Sequence, residues 1–480
     1  MEYPPPAHSA TGLVMQRIGP FLFAVLATIS AFFLVWSLPP FQTADEPAHI
    51  YRANMITHGY WVAARVPTDG RIAAGGPSDV AIIEAYFPFH HVPFKPDERA
   101  NLEDFAKAFT ARWDGRVFNV AAENTAPYPP FFYLPQAAAI AVGKAIDLPV
   151  VQTLYLARAA NALTCILVGF FALLLAGRAH LPLFAVLLLP MSVSLYASMS
   201  QDGLVITVTA LGIAFLVRAL SEGRPLRSAE IWASAACFAL VGMTKQPYAL
   251  LCLMPLAVPA ERAAVKRLAV AASLAAAVGW AVWMALAVQT PLIRQDAPTD
   301  AMGQLRFLLE NPVAVFTIAV KTFQVWGNEY YQQFVGILGW VDTRLPKPYY
   351  AAAYLVLLLS FLPMLLGRRA ADWYSGAPAR ASAVTLGVVL ATGALLFGAL
   401  YMVWTPVGQL WVDGVQGRYF LPLAALLPLA FASGRQLPAS GGPSGWAGVL
   451  GRGLTWMVWL FPIVSILVLQ RTVILRYYLD

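Results

Sequence analysis

Long apolar runs separated by polar loops dominate the sequence. A membrane-spanning helix needs roughly 20 mostly apolar residues, and about eleven runs approach or exceed that length. They cover residues 18–39, 151–176, 182–198, 203–220, 229–244, 246–260, 268–289, 349–366, 382–404, 418–433 and 447–469. The pattern predicts an all-α polytopic membrane protein with about 11 transmembrane helices, in a range of roughly 10–13. Runs 182–198 and 246–260 are short, so we expect them to cross only with tilt or local thinning of the bilayer.

The basic residues decide whether the apolar stretch 131–147 is a further span. If it does not cross, the basic loops all fall on one side with Arg17, which is the pattern of cytoplasmic loops. These loops carry Arg178, Arg224, Arg227, Arg262, Lys266, Arg267, Arg368, Arg369, Arg380 and Arg435. We therefore predict an interfacial or re-entrant helix at 131–147 and a cytoplasmic N-terminus with an uncleaved signal anchor. Arg471 and Arg476 fit this topology less well.

Two long hydrophilic segments, residues 40–130 and 290–347, lie on the non-cytoplasmic side in this topology. We assign both to one membrane module that covers residues 1–435. Residues 436–480 form a C-terminal loop and the last transmembrane helix, and a Gly/Ser/Pro-rich patch at 439–445 indicates the loop.

Composition agrees with a membrane protein. Of the 480 residues, 59% are hydrophobic and 12% are charged, whereas soluble domains are about 45–50% apolar and about 25% charged. The net charge of +7 follows from basic cytoplasmic loops, so we predict no nucleic-acid partner. Cys165, Cys237 and Cys252 lie in apolar runs and indicate small buried side chains, not a disulfide or zinc site.

Polar residues at the ends of the spans converge on the predicted external face. Ionisable groups at the membrane edge are functional candidates by default. Five separate segments supply Asp45, Glu46, His49, Arg52, Ser200, Gln201, Asp202, Lys245, Asn328, Glu329, Asp413, Gln416, Arg418 and Tyr419. This convergence from distant parts of the chain is the strongest functional signal in the residues themselves.

The acidic pair Asp45-Glu46 admits several roles. Asp45 could cap the helix that Pro47 begins. It could also act as a general base toward a hydroxyl or amine, or hold Mg or Mn together with Glu46, since these metals prefer oxygen ligands. Helical spacing places His49 one turn beyond Asp45 and Arg52 one turn beyond His49, which forms a polar stripe.

Lys245 and Arg418 admit two roles each. Either side chain could extend to the membrane interface, or could contact a phosphate, for which arginine is the better bidentate ligand. The aromatic segment that begins at Tyr128 could belong to an interfacial belt or form a wall of a lipid-chain groove. His90 and His91 indicate loop residues.

Six ordered motifs resemble those of a bacterial membrane-protein family, domain of unknown function 2142. They are DEPAHIYRA, NTAPYPPFFYLPQA, PMSVSLYASMSQDG, GMTKQPYALL, GILGWVDTRLP and VQGRYFLPL. The resemblance covers roughly residues 18–435. That family is in turn similar to the GT-C superfamily of membrane glycosyltransferases, which take a sugar from a polyprenyl-phosphate donor on the periplasmic or lumenal face. Interfacial helices in the first external loop are part of that GT-C-like fold.

The resemblance implies roles for single residues. Asp45-Glu46 matches the acidic motif of the first external loop in that superfamily, and Tyr128-Pro129-Pro130 matches a second motif of the same loop. Asp202 matches an acidic residue at the next external turn, and Lys245 matches a lysine after the fifth span. Asp45 is then the catalytic base, with Glu46 and His49 orienting the acceptor or the base. The remaining predicted contacts to substrate or phosphate are Arg52, Tyr128, Asp202, Lys245, Glu329, Gln416, Arg418 and Tyr419. Gln201 stands where a second acid is possible, which disfavours a metal-dependent mechanism.

The resulting prediction is an inverting GT-C-type enzyme of the bacterial inner membrane. It would move a sugar from a polyprenyl-phosphate donor to a glycan, lipid or protein acceptor of the envelope, with membrane lipids around it. A transporter or flippase of lipid-linked sugars is the main alternative, and the sequence shows neither the internal repeats nor the mid-membrane charges that transporters often carry. An assembly or sensor subunit, whose long loops bind a partner, is a third possibility.

Overall fold

Helices make up most of the chain. The computed structural model describes residues 10–68, 70–290, 299–366, 377–432 and 446–479. The helices of the first half are α1 (Ala10–Ser37), α2 (Glu46–Thr57), α3 (Val80–Tyr86), α4 (Leu102–Ala108), α5 (Leu134–Ala145), α6 (Val150–Leu175), α7 (His180–Leu187), α8 (Pro190–Tyr196), α9 (Asp202–Ser221) and α10 (Ser228–Gly242). Those of the second half are α11 (Ala263–Trp283), α12 (Ala301–Glu310), α13 (Ala314–Val335), α14 (Lys347–Leu366), α15 (Ala377–Val403), α16 (Leu421–Phe431) and α17 (Trp446–Tyr477).

The predicted class, an all-α polytopic membrane protein, is confirmed. Among the described residues, seven helical segments are long and apolar enough to cross a membrane, in α1, α6, α9, α11, α14, α15 and α17. The bent pair α7–α8 makes an eighth if it is one span. The other three predicted runs coincide with the shorter apolar helices Ser228–Gly242, Gln246–Ala257 and Gly417–Phe431, so the predicted count of eleven is reached only when these are included.

Two of the apolar segments are irregular. Pro190 begins α8, and the residue before it, Leu189, is extended (φ −59°, ψ 143°), as a residue before proline must be. This preference of the residue before proline accounts for the break, although Pro20, Pro363 and Pro462 lie inside continuous helices, and α7 and α8 meet at 78°. Residues Gln246–Ala257 form a 3₁₀ helix of 12 residues, whose rise of about 2.0 Å per residue extends it to roughly 24 Å.

The first long segment contains strands that the apolar pattern did not predict. Strands β1 (Ala64–Thr68), β2 (Arg71–Asp79) and β3 (Val117–Ala121) form an antiparallel sheet in the order β1-β2-β3. Helix α5, which covers most of 131–147, has 12 residues and is about 18 Å long. It is too short to cross a hydrocarbon core of about 30 Å and is not among the candidate spans.

Helix α9 is the most enclosed of the candidate spans: 83% of the residues in its apolar stretch are buried, against 22% of those in the apolar stretch of α15. It packs on α6, α10 and α16. The first residue of α9 therefore lies where the ends of several helices meet. In the second long segment, the two-residue strands β4 (Ile337–Leu338) and β5 (Thr343–Arg344) form an antiparallel hairpin, and β4 contacts α8 and α13. The predicted boundary at residue 435 and the basic residues Arg368, Arg369 and Arg435 lie outside the described residues, as does the patch 439–445.

Candidate functional site

Four charged side chains from distant segments form a chain of ion pairs. An Arg418 nitrogen lies 2.6 Å from an Asp45 carboxylate oxygen, and the Arg418 Nε lies 3.7 Å from Asp202. The Lys245 ammonium lies 3.2 Å from the other oxygen of Asp202. The two positive and two negative charges balance. Asp45 is the open end, because 38% of its side chain is exposed, against 6% of Arg418 and 12% of Asp202.

Each member of this ion-pair chain stands at the end of an element. Asp45 precedes α2 in a left-handed conformation (φ 59°, ψ 13°), and Asp202 is the first residue of α9. Lys245 occupies an extended link after α10. Arg418 lies in a 3₁₀ turn, Gly417–Phe420, directly before α16. Element ends let the charged groups face a shared space while the apolar helix bodies remain in the membrane.

A buried asparagine fixes the turn that leads to Asp202. The Asn161 amide nitrogen lies 2.9 Å from the carbonyl of Ser198 and 3.2 Å from that of Ser200. Gln136 of α5 donates to the Asn161 side-chain oxygen at 2.9 Å. This network ties α5, α6 and the α8–α9 turn together, so the position of Asp202 is set by side chains in two neighbouring helices.

Aromatic rings surround the cations. The Lys245 nitrogen lies 4.0 Å from the centre of the Tyr419 ring, which is a cation–π distance. The Tyr248 hydroxyl donates to the Tyr419 carbonyl at 2.8 Å and so fixes the Tyr419 backbone. Burial lowers the pKa of Lys245, and the neighbouring Asp202 opposes this effect only in part. The lysine thus lies in a poorly solvated position, where an anion interacts with it more strongly than in water.

His49 lies beside the ion-pair chain between two tyrosine rings. It stacks on Tyr128 and Tyr133 with ring centres 6.4 and 5.9 Å apart, and its Nδ1 shares a 2.7 Å hydrogen bond with the Tyr133 hydroxyl. Burial lowers the pKa of His49 to about 4, although Asp202 and Asp45 act in the opposite direction. The imidazole is therefore neutral at neutral pH and adds no charge to the site.

Arg52 supports this aromatic wall instead of joining the ion pairs. Its guanidinium donates to the carbonyls of Tyr128 and Trp61 at 3.0 and 2.8 Å and lies 5.7 Å from the Tyr133 ring centre. Burial lowers the pKa of Arg52 to about 10. Arg52, which the sequence predicted as a phosphate contact, thus lies outside the ion-pair chain and fixes the Tyr128 backbone.

Glu46 points away from Asp45. Its two carboxylate oxygens accept hydrogen bonds of 2.7 and 2.5 Å from Arg158 of α6, and both side chains are almost fully buried. Arg158 also donates to the carbonyls of Leu38 and Pro39 at 2.8 and 3.1 Å. The two adjacent acids therefore do not form one metal-binding pair, and within the described residues no group of three or more His, Cys, Asp or Glu side chains could hold a metal ion.

Two further predicted residues lie outside the ion-pair chain. Glu329 pairs with Arg344 at 2.8 Å. Gln416 lines a narrow pocket beside Arg418, and its side-chain oxygen is buried without a hydrogen-bond partner among the described residues. The structure thus brings together Asp45, His49, Tyr128, Asp202, Lys245, Arg418 and Tyr419, with Gln416 next to them. Arg52 contacts this set only through the Tyr128 carbonyl, and Glu46 and Glu329 pair with other arginines.

The sequence interpretation did not single out four residues of this region: Tyr133, Arg158, Asn161 and Tyr248. Arg158 and Asn161 are polar residues inside the apolar run 151–176, and buried polar side chains in a span must have partners. That signal could have identified both. Tyr133 and Tyr248 each lie within a quoted motif, yet only their position in space distinguishes them from interfacial tyrosines.

An apolar groove borders the 3₁₀ turn that carries Arg418, because Phe420 of that turn lines it. It lies between α12, α13, α15 and α16, and has a volume of about 690 Å³. Phe323, Phe397 and Phe420 are among its lining residues, and hydrophobic side chains form almost all of its surface. Phe420 stands two residues after Arg418, so one 3₁₀ turn connects the groove with the ion-pair chain.

Comparison with known proteins gives a family without an assigned activity. The model of a family described as "Predicted membrane protein (DUF2142)" matches residues 29–427. No curated protein matches the chain. The match includes all the charged residues of the ion-pair chain.

Proposed function

Because this chain belongs to the DUF2142 family of predicted membrane proteins, whose description names no activity, we propose a function from its own site. The protein is an integral membrane glycosyltransferase that moves a sugar from a polyprenyl-phosphate donor to an acceptor of the cell envelope. The reaction takes place on the non-cytoplasmic face of the bacterial inner membrane. This places the site on the side that the basic loops assign to the first long segment.

The observation that carries the proposal is the 3₁₀ turn Gly417–Phe420. Phe420 faces an apolar groove of about 690 Å³, and Arg418 belongs to the ion-pair chain. A ligand that satisfies both sides must join a long apolar chain to an anionic head group. A polyprenyl phosphate has this chemistry, because its chain gains from burial and its phosphate from the guanidinium.

The cations have spare donors for a phosphate. Lys245 uses one hydrogen bond, to Asp202, although an ammonium group offers three. The Arg418 Nε is buried and has no hydrogen-bond partner among the described residues. A phosphate could therefore bind without breaking the pair between Arg418 and Asp45, and both cations would stabilise the negative charge that develops on the leaving group.

Asp45 serves as the general base. One of its oxygens accepts from Arg418 at 2.6 Å, and the other has no partner among the described residues. The free oxygen takes the proton of the acceptor hydroxyl, while the hydroxyl oxygen forms a bond to the anomeric carbon. The bond from that carbon to the phosphate breaks, and its electron pair remains on the phosphate. Attack from the face opposite the phosphate inverts the anomeric configuration.

A transfer assay with two carboxylate variants tests this proposal. Membranes that contain the wild-type protein, Asp45→Asn or Glu329→Gln would receive a metabolically tritiated lipid extract from the host, and label in the envelope polymer would be counted. Removal of a general base typically costs about 10²–10⁴-fold in rate, so Asp45→Asn should lose transfer. Glu329→Gln is the matched control, because its carboxylate pairs with Arg344 outside the ion-pair chain.

Photolabelling with a photoreactive polyprenyl-phosphate analogue separates binding from chemistry. Asp45→Asn should be labelled as strongly as the wild type, since Asp202 still accompanies Arg418. Full transfer by Asp45→Asn would contradict the assignment of the base. Absence of labelling in the wild-type protein would contradict the donor class.

One observation favours a transporter or flippase as the second candidate. Helices α7 and α8 form a broken pair bent by 78°, and discontinuous helices are frequent at transporter binding sites. Proteoliposomes with a fluorescent polyprenyl-phosphate lipid and an external quencher distinguish the two functions. Protein-dependent movement of the lipid between leaflets, without sugar transfer, would support the transporter and exclude the enzyme.

A further inference from the structure

A narrow pocket beside Arg418 is separate from the apolar groove, since the two share no lining residue among the described residues. Its walls come from residues 43–44, from α8, from the end of α13 and from the β4–β5 hairpin. Its free volume of about 20 Å³ exceeds the roughly 10–15 Å³ that one water molecule needs. Residues Thr43 and Ala44 directly precede Asp45, so the pocket adjoins the proposed base.

The pocket has neutral hydrogen-bonding groups without partners. Among the described residues, the hydroxyls of Thr43 and Ser194 make no side-chain hydrogen bond, and the Gln416 side-chain oxygen is buried and also lacks a partner. Gln333 accepts from the Gly417 amide at 2.8 Å, which leaves its amide nitrogen as a donor. A buried polar atom without a partner is costly, so a ligand that donates a hydrogen bond to the Gln416 oxygen would relieve this cost, and the hydroxyls of Thr43 and Ser194 can bond to the same ligand.

Backbone strain is concentrated around the same pocket. Phe41, Asp45 and Val341 have φ values of 65°, 59° and 62°, in the left-handed region that non-glycine residues rarely adopt. Val341 lines the pocket, and the Trp340 indole donates to the Phe41 carbonyl at 2.9 Å. Strained residues cluster at ligand sites, where the surrounding structure maintains them. One residue of the pocket lining and two residues that flank its Thr43-Ala44 wall therefore have an unfavourable backbone conformation.

We infer that this pocket binds the attacking hydroxyl group of the acceptor, and that the acceptor end it takes is uncharged. The inference rests on the proposed glycosyl transfer. Within the described residues no carboxylate, lysine or histidine lines the pocket, and its one charge, Arg418, is already paired with Asp45. A hydroxyl group matches the mixed donors and acceptors of the lining and is close in size to the one water molecule for which the pocket has room. A cationic amine would be repelled by Arg418, the one charged residue of the lining, and a carboxylate would compete with Asp45 for Arg418.

Arg418 then separates the two substrates. The donor chain occupies the groove on the Phe420 side, and the acceptor hydroxyl enters past Thr43, next to Asp45. The two cavities share no lining residue in the described part of the chain. The assignment requires the nucleophile to approach the anomeric carbon from the side away from the leaving phosphate.

Three small probes of similar size and different charge test the pocket. Saturation-transfer NMR on the protein in deuterated nanodiscs would use glycerol, glycerate and serinol, which are neutral, anionic and cationic. We expect glycerol to bind, and the two charged probes to bind at least fivefold more weakly. Thr43→Val and Ser194→Ala should each raise the apparent Kd for glycerol about fivefold. Thr164→Val is the matched control, because its hydroxyl donates to Ala160 within α6 at 2.8 Å.

Equal binding of the charged probes, or unchanged glycerol binding in Thr43→Val and Ser194→Ala, would overturn the inference. A second arm identifies the substrate: glycerol should inhibit sugar transfer without protecting against photolabelling by the polyprenyl-phosphate analogue. Protection would instead assign the pocket to the donor sugar and overturn the acceptor assignment. The binding arm needs no turnover, so neutral-selective binding without any transfer would contradict the proposed function and leave the pocket's chemistry intact.

Discussion

Replacement of Glu46 by glutamine should destabilise the protein much more than replacement of its neighbour Asp45 by asparagine. Glu46 and Arg158 are 0% and 1% exposed and share two hydrogen bonds. Removal of one partner from a buried ion pair typically costs about 3–5 kcal/mol, because the other charge stays buried without compensation. Glu46→Gln keeps an oxygen that can accept from Arg158, so we expect about 3 kcal/mol, at the lower end of this range.

The larger value belongs to Arg158→Leu. Besides isolating Glu46, this substitution removes the donors to the carbonyls of Leu38 and Pro39 at the end of α1. The expected loss is therefore about 5 kcal/mol. Asp45→Asn should cost about 1 kcal/mol or less, since the carboxylate is partly exposed and exposed pairs contribute little.

Unfolding by SDS titration in mixed micelles would measure these differences. Wild type, Glu46→Gln, Arg158→Leu and Asp45→Asn would be compared with Glu329→Gln, whose partly exposed pair with Arg344 should change stability by less than about 1 kcal/mol. If Glu46→Gln were as stable as the wild type and lost only sugar transfer, Glu46 would be a catalytic group. The sequence-based assignment of both acids to the reaction would then be correct, and our assignment of Glu46 to the fold would be refuted.

Three further predictions concern the groove, the histidine and the lysine. Gly393 lines the groove, and a Cβ added there meets no atom within 4 Å. The side chain of Gly393→Leu would therefore fill part of the groove and should reduce photolabelling several-fold. Gly387 on α15 also has open space around an added Cβ but does not line the groove, so Gly387→Leu should leave photolabelling unchanged. The pKa of His49 falls from 6.5 to about 4 on folding, so the unfolded state binds more protons than the folded state between these two pH values. The free energy of unfolding should therefore fall by about 3 kcal/mol as the pH drops from 6.5 to 4. SDS titrations at several pH values would measure this loss, which His49→Gln should abolish. Lys245→Gln should lower photolabelling about tenfold while leaving secondary structure by circular dichroism unchanged, and retained labelling would exclude a phosphate contact.

The apolar runs predicted most of the helices because lipid exposure requires long hydrophobic segments. The apolar runs did not predict the strands, whose formation depends on backbone pairing and not on lipid exposure. Strand β2 has the sequence RIAAGGPSD and shows no alternation of apolar and polar residues. Its pairing depends instead on close approach: a Cβ at Gly75 would lie 1.9 Å from the Val120 carbonyl oxygen. Only the three-dimensional pairing reveals why that position is glycine.

The site was predictable to the extent that membrane topology sorts residues by side. Asp45, Asp202, Lys245 and Arg418 each stand at an element end, and an arrangement of alternating spans brings such ends together. Topology does not give the direction in which a side chain points. Glu46 therefore belonged to the same predicted set as Asp45, although it faces Arg158.

Arg476 shows why a count of basic residues weakens near the C-terminus. It lies in the last turn of α17, and its guanidinium donates to the carbonyls of Glu98 and Lys95 at 2.6 and 3.0 Å and lies 3.2 Å from Asp342. The positive-inside rule concerns cations that remain solvated in loops. Arg476 is buried by the first long segment, so its charge is neutralised where it stands and carries no information about orientation. Because that segment also carries Asp45, the end of α17 lies on the same side of the molecule as the candidate site. In the predicted topology the N-terminus lies on the side opposite the site, and eleven spans, an odd number, bring the C-terminal end of α17 to the side of the site. The position of Arg476 therefore does not contradict the predicted topology.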